Sequence, residues 1–308
     1  MDSSLVSVII TTYNRATYIE QTIESIQNQT YGNIEILVID DGSLKSTAHL
    51  VESICNTFSK CTYFWKPNSG QPDSRNYGIK RAKGTYIGFC DDDDFWVLNK
   101  VEKQIKVLIE NPDFDIVTGC ISYFGTHVSL DEKVKCHNGY NHGYIFENLL
   151  IKNRTDSITP LLRKKVFIKT GYFDPSFTIS EDWDFWRKAA YYHKFYAIHE
   201  VLAYVRKHDS NMTFLANKDL TDRILMHRKV TKSLLKWGKI RFSNSEKQKI
   251  RYFEFNEYKR LITNHYSSIL AKCYCLLTLF KKAPLTTFYV LFLFIIFKNG
   301  KKVKYKTL

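Results

Sequence analysis

The chain has 308 residues, enough for one large α/β domain with an accessory segment, and its 44% hydrophobic content is sufficient for a buried core. A net charge of +14 raises the question of a nucleic-acid partner. The charge is uneven, however. From Arg223 onward there are 20 Lys and Arg against 3 Glu, a net charge of +17, and the preceding residues have a net charge of −3. This distribution argues against nucleic acid on the main domain and favours a basic, surface-binding extension.

The cysteines and the first residues indicate the compartment. The 7 cysteines are odd in number and scattered, and no two of them form a CxxC pair. This pattern predicts reduced thiols in the cytoplasm. Residues 1–4 lead directly into an apolar run, without the basic flank and long apolar stretch of a signal peptide. We therefore expect the main domain to stay inside the cell.

Short runs rich in Val and Ile predict strands, and apolar residues at helical spacing, such as Ile19, Ile23 and Ile26, predict helices between them. The alternation is typical of βαβ units and a mainly parallel sheet, in which ligands bind beyond the carboxyl ends of the strands. From about residue 211 only helical patterns remain. We expect an α/β domain over residues 1–210 and a helical, basic extension over residues 211–308. The predicted strands are Val6–Thr11, Ile34–Asp40, Cys61–Lys66, Tyr86–Cys90 and Ile116–Ser122.

The fourth predicted strand ends in four consecutive carboxylates, Asp91 to Asp94. Adjacent like charges repel, so such a run is stable only when it is solvated or neutralised by a cation. In an extended segment Asp91 and Asp93 would project to the same side and could share Mg²⁺ or Mn²⁺ with a diphosphate. The alternative is an acidic loop before a helix that starts near Asn99.

Two other strand ends carry polar groups. Asp40 ends the second strand, where it could accept a hydrogen bond from the ring N–H of a uracil-type base; the alternative is a turn and helix cap, which Asp-Gly-Ser favours. Thr11 to Arg15 ends the first strand and offers backbone groups, the aromatic face of Tyr13 and the cation of Arg15. An ordinary helix cap is the alternative here too.

Four ordered blocks together resemble the inverting glycosyltransferases of family 2, which have the GT-A fold, a Rossmann-like nucleotide-diphospho-sugar transferase fold. The blocks are Val6–Arg15 (VSVIITTYNR), Glu35–Ser43 (EILVIDDGS), Asn68–Asp94 (NSGQPDSRNYGIKRAKGTYIGFCDDDD) and Glu181–Trp186 (EDWDFW). The resemblance covers about residues 5–210. Four blocks in order are far more specific than any one of them.

The resemblance implies roles for individual residues. Asp182 matches the catalytic base, which takes the proton of the acceptor hydroxyl. Asp93 and Asp91 match the DxD pair that holds Mn²⁺ or Mg²⁺, and His208 lies in an Arg-x-His segment that approaches the diphosphate and is a third candidate ligand. The remaining matches are expected to bind the nucleotide sugar: Thr11, Tyr13, Arg15, Asp40, Arg75, Asn76, Asp91 and Asp92.

The tail combines an apolar run with basic clusters. Pro284–Phe297 is uncharged and mostly apolar, and lysines flank it on both sides. Because a bilayer span needs roughly 20 residues, an interfacial helix on an anionic membrane is favoured over a span. A core helix, an oligomer contact and a hairpin formed with Tyr266–Phe280 are the alternatives.

The expected function is a metal-dependent glycosyltransferase of hexosyltransferase type, on the cytoplasmic face of a membrane. The donor is a nucleotide sugar, with UDP favoured, and the acceptor is a lipid-linked or cell-envelope glycan in polysaccharide biosynthesis. One alternative is a nucleotidyltransferase acting on sugar phosphates, against which Thr11 to Arg15 lacks the usual glycine-rich loop. The other is a catalytically silent membrane-binding module. The sequence leaves the oligomeric state open.

Overall fold

The structure is a computed structural model that describes residues 4–125, 128, 134–136, 142–151, 153, 155–208, 220–265, 276–277, 280–281 and 284–299. The chain divides into two compact units, residues 1–209 and 210–308. The first unit contains one mixed sheet. Its described strands are β1 (Val6–Thr12), β2 (Ile34–Asp40), β3 (Cys61–Trp65), β4 (Tyr86–Asp91), β5 (Phe95–Trp96), β6 (Ile116–Gly125), β7 (Val134–Lys135), β8 (His142–Gly143), β9 (Leu161–Arg163) and β10 (Phe195–Lys207).

The sheet has the strand order β3-β2-β1-β4-β9-β6-β10-β5, with β7 paired to β6 and β8 to β10. β1 runs parallel to β2 and β4, and β2 runs parallel to β3. The short β9 lies antiparallel between β4 and β6, and β10 runs parallel to β6. β1, β2, β3, β4, β6 and β10 therefore all end at the same edge. The mainly parallel α/β sheet and the five predicted strands are confirmed.

Helices cover both faces of the sheet because alternate strand residues point to opposite sides. Val8 and Ile10 of β1 belong to one buried cluster with the helices after β1, β2 and β5, and Ile9 belongs to the other, with Phe185 and Trp186. The described helices of this unit are α1 (Ile19–Gln27), α2 (Lys45–Cys55), α3 (Gln71–Arg81), α4 (Lys100–Glu110), α5 (Phe146–Ile151), α6 (Val166–Thr170) and α7 (Glu181–Tyr192).

The cysteines differ from the expectation of seven reduced thiols. Cys120 and Cys136 form a disulfide, with their Cα atoms 4.4 Å apart. The cause is the register of β6 and β7: Ile121 lies opposite Lys135, so the two cysteines face each other across the pair. No pattern in the sequence predicts a strand near residue 134. Cys55, Cys61 and Cys90 are free thiols, and Cys273 and Cys275 lie outside the described residues.

The second unit is helical where it is described, with α8 (Leu220–Trp237), α9 (Asn244–His265) and α10 (Pro284–Asn299). Glu254 of α9 is buried and accepts hydrogen bonds from Tyr258 and from Tyr289 of α10, the latter over 2.9 Å. Arg228 of α8 lies 3.5 Å from Glu254 and stacks on the Tyr289 ring at 3.6 Å. This network joins the three helices. Most of the proposed hairpin partner, Tyr266–Phe280, lies outside the described residues.

A buried lysine generates a stability prediction for the first unit. Lys100, the first residue of α4, is fully buried, with its Nζ atom 3.6 Å from the Trp96 ring centre and 2.8 Å from Gln104 Oε1. Burial lowers the pKa of its ammonium to about 7. Between pH 7 and the ordinary lysine pKa the unfolded chain holds one more proton than the folded chain, so the free energy of unfolding rises with pH there.

We expect Lys100→Met to reduce this rise, measured by urea unfolding at pH values from 6 to 9. Lys106→Met, on the exposed side of the same helix, is the control and should keep the wild-type slope. A wild-type slope in Lys100→Met would show that another group causes the pH dependence.

Candidate active site

The predicted site residues lie at the common edge where the parallel strands end. Thr12, Asp40 and Asp91 are the last residues of β1, β2 and β4, and Thr12 pairs with Asp40 while Thr11 pairs with Asp91. His208 directly follows β10, which reaches the same edge. The sheet thus brings together residues from three of the four sequence blocks.

The four consecutive aspartates form a turn rather than the extended segment that the sequence suggested. The Asp94 N–H donates to the Asp91 carbonyl over 3.2 Å, and the Thr22 hydroxyl of α1 lies 2.7 Å from the Asp94 carbonyl oxygen. The physical reason is β5, which starts at the next residue and pairs antiparallel with β10, so that the chain must reverse after β4. Each of the four carboxylates consequently has a different environment.

Asp92 points inward. It is almost fully buried and accepts a hydrogen bond from the Thr12 hydroxyl over 2.6 Å. Arg15 contacts the other carboxylate oxygen through Nη2 and through Nε, the latter at 3.0 Å. Burial raises the pKa of Asp92 to about 6, and the Arg15 hydrogen bond opposes this shift. Asp92 therefore anchors Arg15 to the base of the turn.

Asp93 and His208 converge on one point. The Oδ2 atom of Asp93 lies 2.8 Å from His208 Nε2 and 3.0 Å from Arg15 Nη1. The ring of Tyr18 packs against the His208 imidazole, with the ring centres 5.6 Å apart. Within the described part of the chain, no group of three or more His, Cys, Asp or Glu side chains could hold a metal ion.

Arg206 fixes the end of the turn to β10. Its backbone N–H donates to Asp94 Oδ1 over 2.8 Å, and its Nε donates to the Asp93 carbonyl over 3.0 Å. Its guanidinium also stacks on Tyr18 at 4.2 Å and on Phe124 at 4.5 Å. Arg206 thus shapes the turn, and it places His208, two residues later, beside Asp93.

Arg75 connects the carboxylate turn to the fourth sequence block. Its side chain is 3% exposed, and its two terminal nitrogens reach Glu181 Oε1 at 2.7 Å and Asp91 Oδ1 at 3.1 Å. Gln71, one turn earlier in α3, donates to the same Asp91 oxygen over 3.0 Å. Since the two nitrogens belong to one rigid guanidinium, the carboxylates of Asp91, at the end of β4, and Glu181, at the start of α7, lie on either side of the same group.

Asp182 is the second residue of α7 and is oriented by several donors. Asn153 Nδ2 and Ser157 Oγ donate to its Oδ2 atom over 2.9 and 3.1 Å, and the Trp183 N–H lies 2.7 Å from Oδ1. Burial raises the pKa of Asp182, and the charge of Arg75 opposes the shift. Ser180, just before the helix, has a left-handed φ of 65°, an uncommon conformation for serine that sets the direction from which the chain enters α7.

Asp40 and its neighbour Asp41 hold two loops together, the loop after β2 and the loop before α3. Asp40 is fully buried and accepts hydrogen bonds from the Ser43 N–H and the Tyr63 hydroxyl. Asp41 binds the next loop through the N–H groups of Ser69 and Gly70 and the ammonium of Lys66.

The close approach of these two loops also explains a glycine in the second sequence block. Gly42 has a φ of 85°, and a Cβ atom there would lie 2.6 Å from the Asn68 nitrogen. The DDGS and NxG motifs therefore form one structural unit.

The remaining predicted nucleotide-binding residues differ in accessibility. Tyr13 is exposed, and the adjacent Asn14 ties its loop to Ser43 and Leu44. Thr11 is buried within β1. Asn76 exchanges two hydrogen bonds with the backbone of Phe173, over 2.8 and 3.0 Å, so its amide holds the segment before α7 in place.

Sequence reasoning did not identify several residues of this arrangement. Glu181, Thr12 and Gln71 were parts of quoted blocks but had no individual role, and Asn153 and Ser157 lay outside the blocks. Thr12 and Gln71 occupy positions that a sequence pattern can mark: Thr12 is the end of a strand, and Gln71 is in the first turn of a helix. Asn153 and Ser157 carry no such signal, because their meeting with Asp182 depends on the fold.

Comparison with known proteins identifies the family. The family model described as glycosyl transferase family 2 matches residues 7–173. An uncharacterized glycosyltransferase of Rickettsia typhi is 34% identical over 255 residues, which cover 80% of this chain and 77% of the relative.

Two solved structures have a similar fold. One is Staphylococcus aureus TarS 1–349 in complex with UDP-GlcNAc, with a TM-score of 0.63, 20% identity and coverage of 84% of this chain and 73% of TarS 1–349. The other is the Pyrobaculum calidifontis mannosyltransferase PcManGT in complex with GDP-Man and Mn²⁺, with a TM-score of 0.55, 14% identity and coverage of 95% and 86%.

The fold and the strand-end site define a glycosyltransferase with the GT-A fold. The chain belongs to glycosyl transferase family 2, as the four sequence blocks predicted.

The Arg75 bridge generates a second prediction. Arg75→Met leaves the buried Glu181 carboxylate without its cation, so the free energy of unfolding should fall by about 3–5 kcal/mol. Adding Glu181→Gln removes the unpaired charge and should recover part of this loss. Urea unfolding of the two single variants and the double variant measures the coupling.

Arg81→Met, at the exposed end of the same helix, is the matched control and should change stability by less than about 1 kcal/mol. Additive losses from Arg75→Met and Glu181→Gln would contradict the bridge.

Proposed function

We propose that the chain is a metal-dependent, inverting hexosyltransferase that moves a sugar from a nucleotide diphosphate, with UDP favoured, to an acceptor hydroxyl. One observation carries the proposal: Arg75 joins Asp91 of the carboxylate turn to Glu181, the neighbour of Asp182. A group that can take a proton therefore lies beside the groups suited to a donor's phosphates. Transfer from a nucleotide sugar requires these two elements at one point.

Asp93 and His208 fit a divalent cation that arrives with its substrate. Magnesium-type ions are commonly bound by one or two protein side chains together with substrate phosphates, so a cage of three protein ligands is not required. The 2.8 Å between Asp93 Oδ2 and His208 Nε2 brings two ligand atoms to one point. Mn²⁺ or Mg²⁺ there would neutralise charge on the departing nucleotide diphosphate.

Asp40 at the end of β2 and Tyr13 after β1 are the residues proposed to bind the base of the donor. TarS is in complex with UDP-GlcNAc and PcManGT with GDP-Man, and uracil and guanine both have a ring N–H. A carboxylate has about four acceptor positions, so the two hydrogen bonds to Asp40 leave acceptor capacity for such a group. Because Asp40 is fully buried, the base would have to displace the side chains that cover it. The exposed ring of Tyr13 offers a face for stacking. Asp40 would therefore favour UDP, thymidine and guanosine donors over those whose base lacks the ring N–H.

The experiment that tests this function measures nucleotide binding with and without metal. We expect UDP to bind the wild-type chain more tightly in Mn²⁺ than in EDTA, and Asp93→Ala to lose this difference, because the carboxylate supplies a metal ligand. Isothermal titration calorimetry gives both affinities. Asp113→Ala, an exposed carboxylate before β6, is the control and should behave as wild type. Unchanged metal dependence in Asp93→Ala would refute the metal assignment.

Asp182 is the proposed general base. Its carboxylate would take the acceptor proton while the hydroxyl oxygen attacks the anomeric carbon, and its raised pKa brings it closer to the working pH of such a base. Asn153 and Ser157 fix the orientation of the carboxylate. A single displacement of this kind inverts the anomeric configuration.

Asp182→Asn should leave UDP affinity within about twofold of wild type and lower turnover roughly 10²-fold or more, since only proton removal in the transition state is lost. Donor titration and diphosphate release from a nucleotide-sugar panel measure the two quantities, with Asp113→Asn as the control. Equal losses in binding and turnover would instead make Asp182 a donor-binding residue. The product anomer, observed by NMR, should be inverted; retention would exclude the single displacement.

The helical unit supports a proposed position on an anionic membrane surface. As the sequence predicts, we propose that this surface is the cytoplasmic face and that the acceptor is a lipid-linked or cell-envelope glycan. In α10, Thr287 and Val290 are buried, whereas Leu285, Phe288 and Phe292 on another face are exposed. Lys281 is exposed just before this helix. No helix among the described residues combines the length and the apolar character needed to cross a membrane. An interfacial helix would bury this apolar face while lysines contact lipid phosphates.

Replacing Leu285 and Phe288 together by serine should reduce co-sedimentation with phosphatidylserine vesicles by roughly tenfold or more, because each buried apolar side chain contributes about 1.5–3 kcal/mol. Ile240→Ser, at another exposed apolar residue of the same unit, is the control. Vesicle binding that the double variant retains would contradict the interfacial helix. Vesicle binding without turnover on the donor panel would favour a catalytically silent module.

A further inference from the structure

Arg15 holds a central position among the charged groups of the site. Its Nε and Nη2 atoms contact Asp92, and its Nη1 atom lies 3.0 Å from Asp93 Oδ2 and 3.5 Å from His208 Nε2. A guanidinium nitrogen therefore stands beside both atoms that are proposed to bind the metal. About a quarter of the side chain is exposed, so ligands can reach it from solvent.

A divalent cation held between Asp93 Oδ2 and His208 Nε2 would bind the same oxygen atom that Arg15 Nη1 contacts. Asp93 Oδ2 can satisfy Arg15 or the metal, but two positive charges held against one oxygen repel each other strongly in a partly buried site. The contacts of Arg15 with Asp92 are not in this conflict, and Asp92 is itself fixed by Thr12. Metal binding would thus displace the Nη1 contact, together with the hydrogen bond between His208 and Asp93, and leave Arg15 attached to the turn through Asp92.

We propose that Arg15 is an exchangeable counter-ion: without donor it neutralises Asp93, and when metal and nucleotide bind, its Nη1 transfers from Asp93 to an oxygen of the donor diphosphate. The inference rests on the proposed function and adds to it a coupling between metal and nucleotide. Arginine suits this role, because it keeps its charge and its planar fork can contact a carboxylate and a phosphate at once.

The exchange predicts effects of opposite sign for the two ligands. Without Arg15, Mn²⁺ alone meets no competing cation, so Arg15→Gln should bind Mn²⁺ roughly tenfold more tightly in the absence of nucleotide. The same variant loses a phosphate contact, so it should bind UDP roughly tenfold more weakly in saturating Mn²⁺. A merely structural role for Arg15 would weaken both ligands.

The test uses the full chain, with Mn²⁺ binding measured by electron paramagnetic resonance of the free ion and UDP binding by calorimetry. Arg15→Lys keeps one positive charge but not the fork, so its Mn²⁺ affinity should lie between those of wild type and Arg15→Gln. Arg81→Gln makes the same chemical change far from the carboxylates and is the matched control. Thermal melting of each variant verifies the fold.

Mn²⁺ affinity that is unchanged or weaker in both Arg15 variants, while wild type still takes up Mn²⁺ with UDP, would overturn the exchange and leave the proposed function standing. Wild-type protein that takes up no Mn²⁺ even with UDP would overturn the metal site itself, and the exchange with it. Tighter Mn²⁺ together with weaker UDP in Arg15→Gln supports the proposal.

Discussion

The repulsion among four consecutive carboxylates is the constraint on which the site depends. Asp91 to Asp94 occupy one turn in which their charge is offset separately: Arg75 contacts Asp91, and Arg15 contacts Asp92 and Asp93. At Asp94, which accepts a backbone N–H, burial raises the pKa well above its usual range and so disfavours the charged form. These partners come from the loop after β1, from α3 and from β10, which are far apart in sequence. Neutralising the turn therefore fixes the relative positions of the elements around it.

The parallel strand order makes this arrangement possible. β1, β4 and β10 end at one edge, so short loops suffice to bring Arg15, the aspartates and His208 together. α3 places Arg75 between the carboxylate turn and the start of α7, where it contacts Asp91 and Glu181. The same guanidinium thus relates the groups proposed to hold a diphosphate to the proposed base, and a change in either place would alter the other.

Local patterns were sufficient for the strands, the family and the cluster at the sheet edge, because each block and each strand end is a signal within a few residues, and parallel strands end at one edge of a sheet. They were insufficient where the chain folds back on itself. The extended Asp91–Asp93 segment was wrong because the pairing of β5 with β10 forces a turn, and the expectation of reduced thiols missed the Cys120–Cys136 pair because β7 left no readable pattern. Asn153 and Ser157 reach Asp182 only through tertiary structure.

In the proposed site, the turn binds a donor diphosphate through a metal on Asp93 and His208. The most direct measurement is a crystal structure of the chain with UDP and Mn²⁺, with the metal located by its anomalous scattering. The proposed site predicts one manganese peak in contact with the Asp93 carboxylate, His208 Nε2 and the UDP diphosphate. A diphosphate bound at the strand ends without manganese, or a manganese peak away from Asp93, would contradict it.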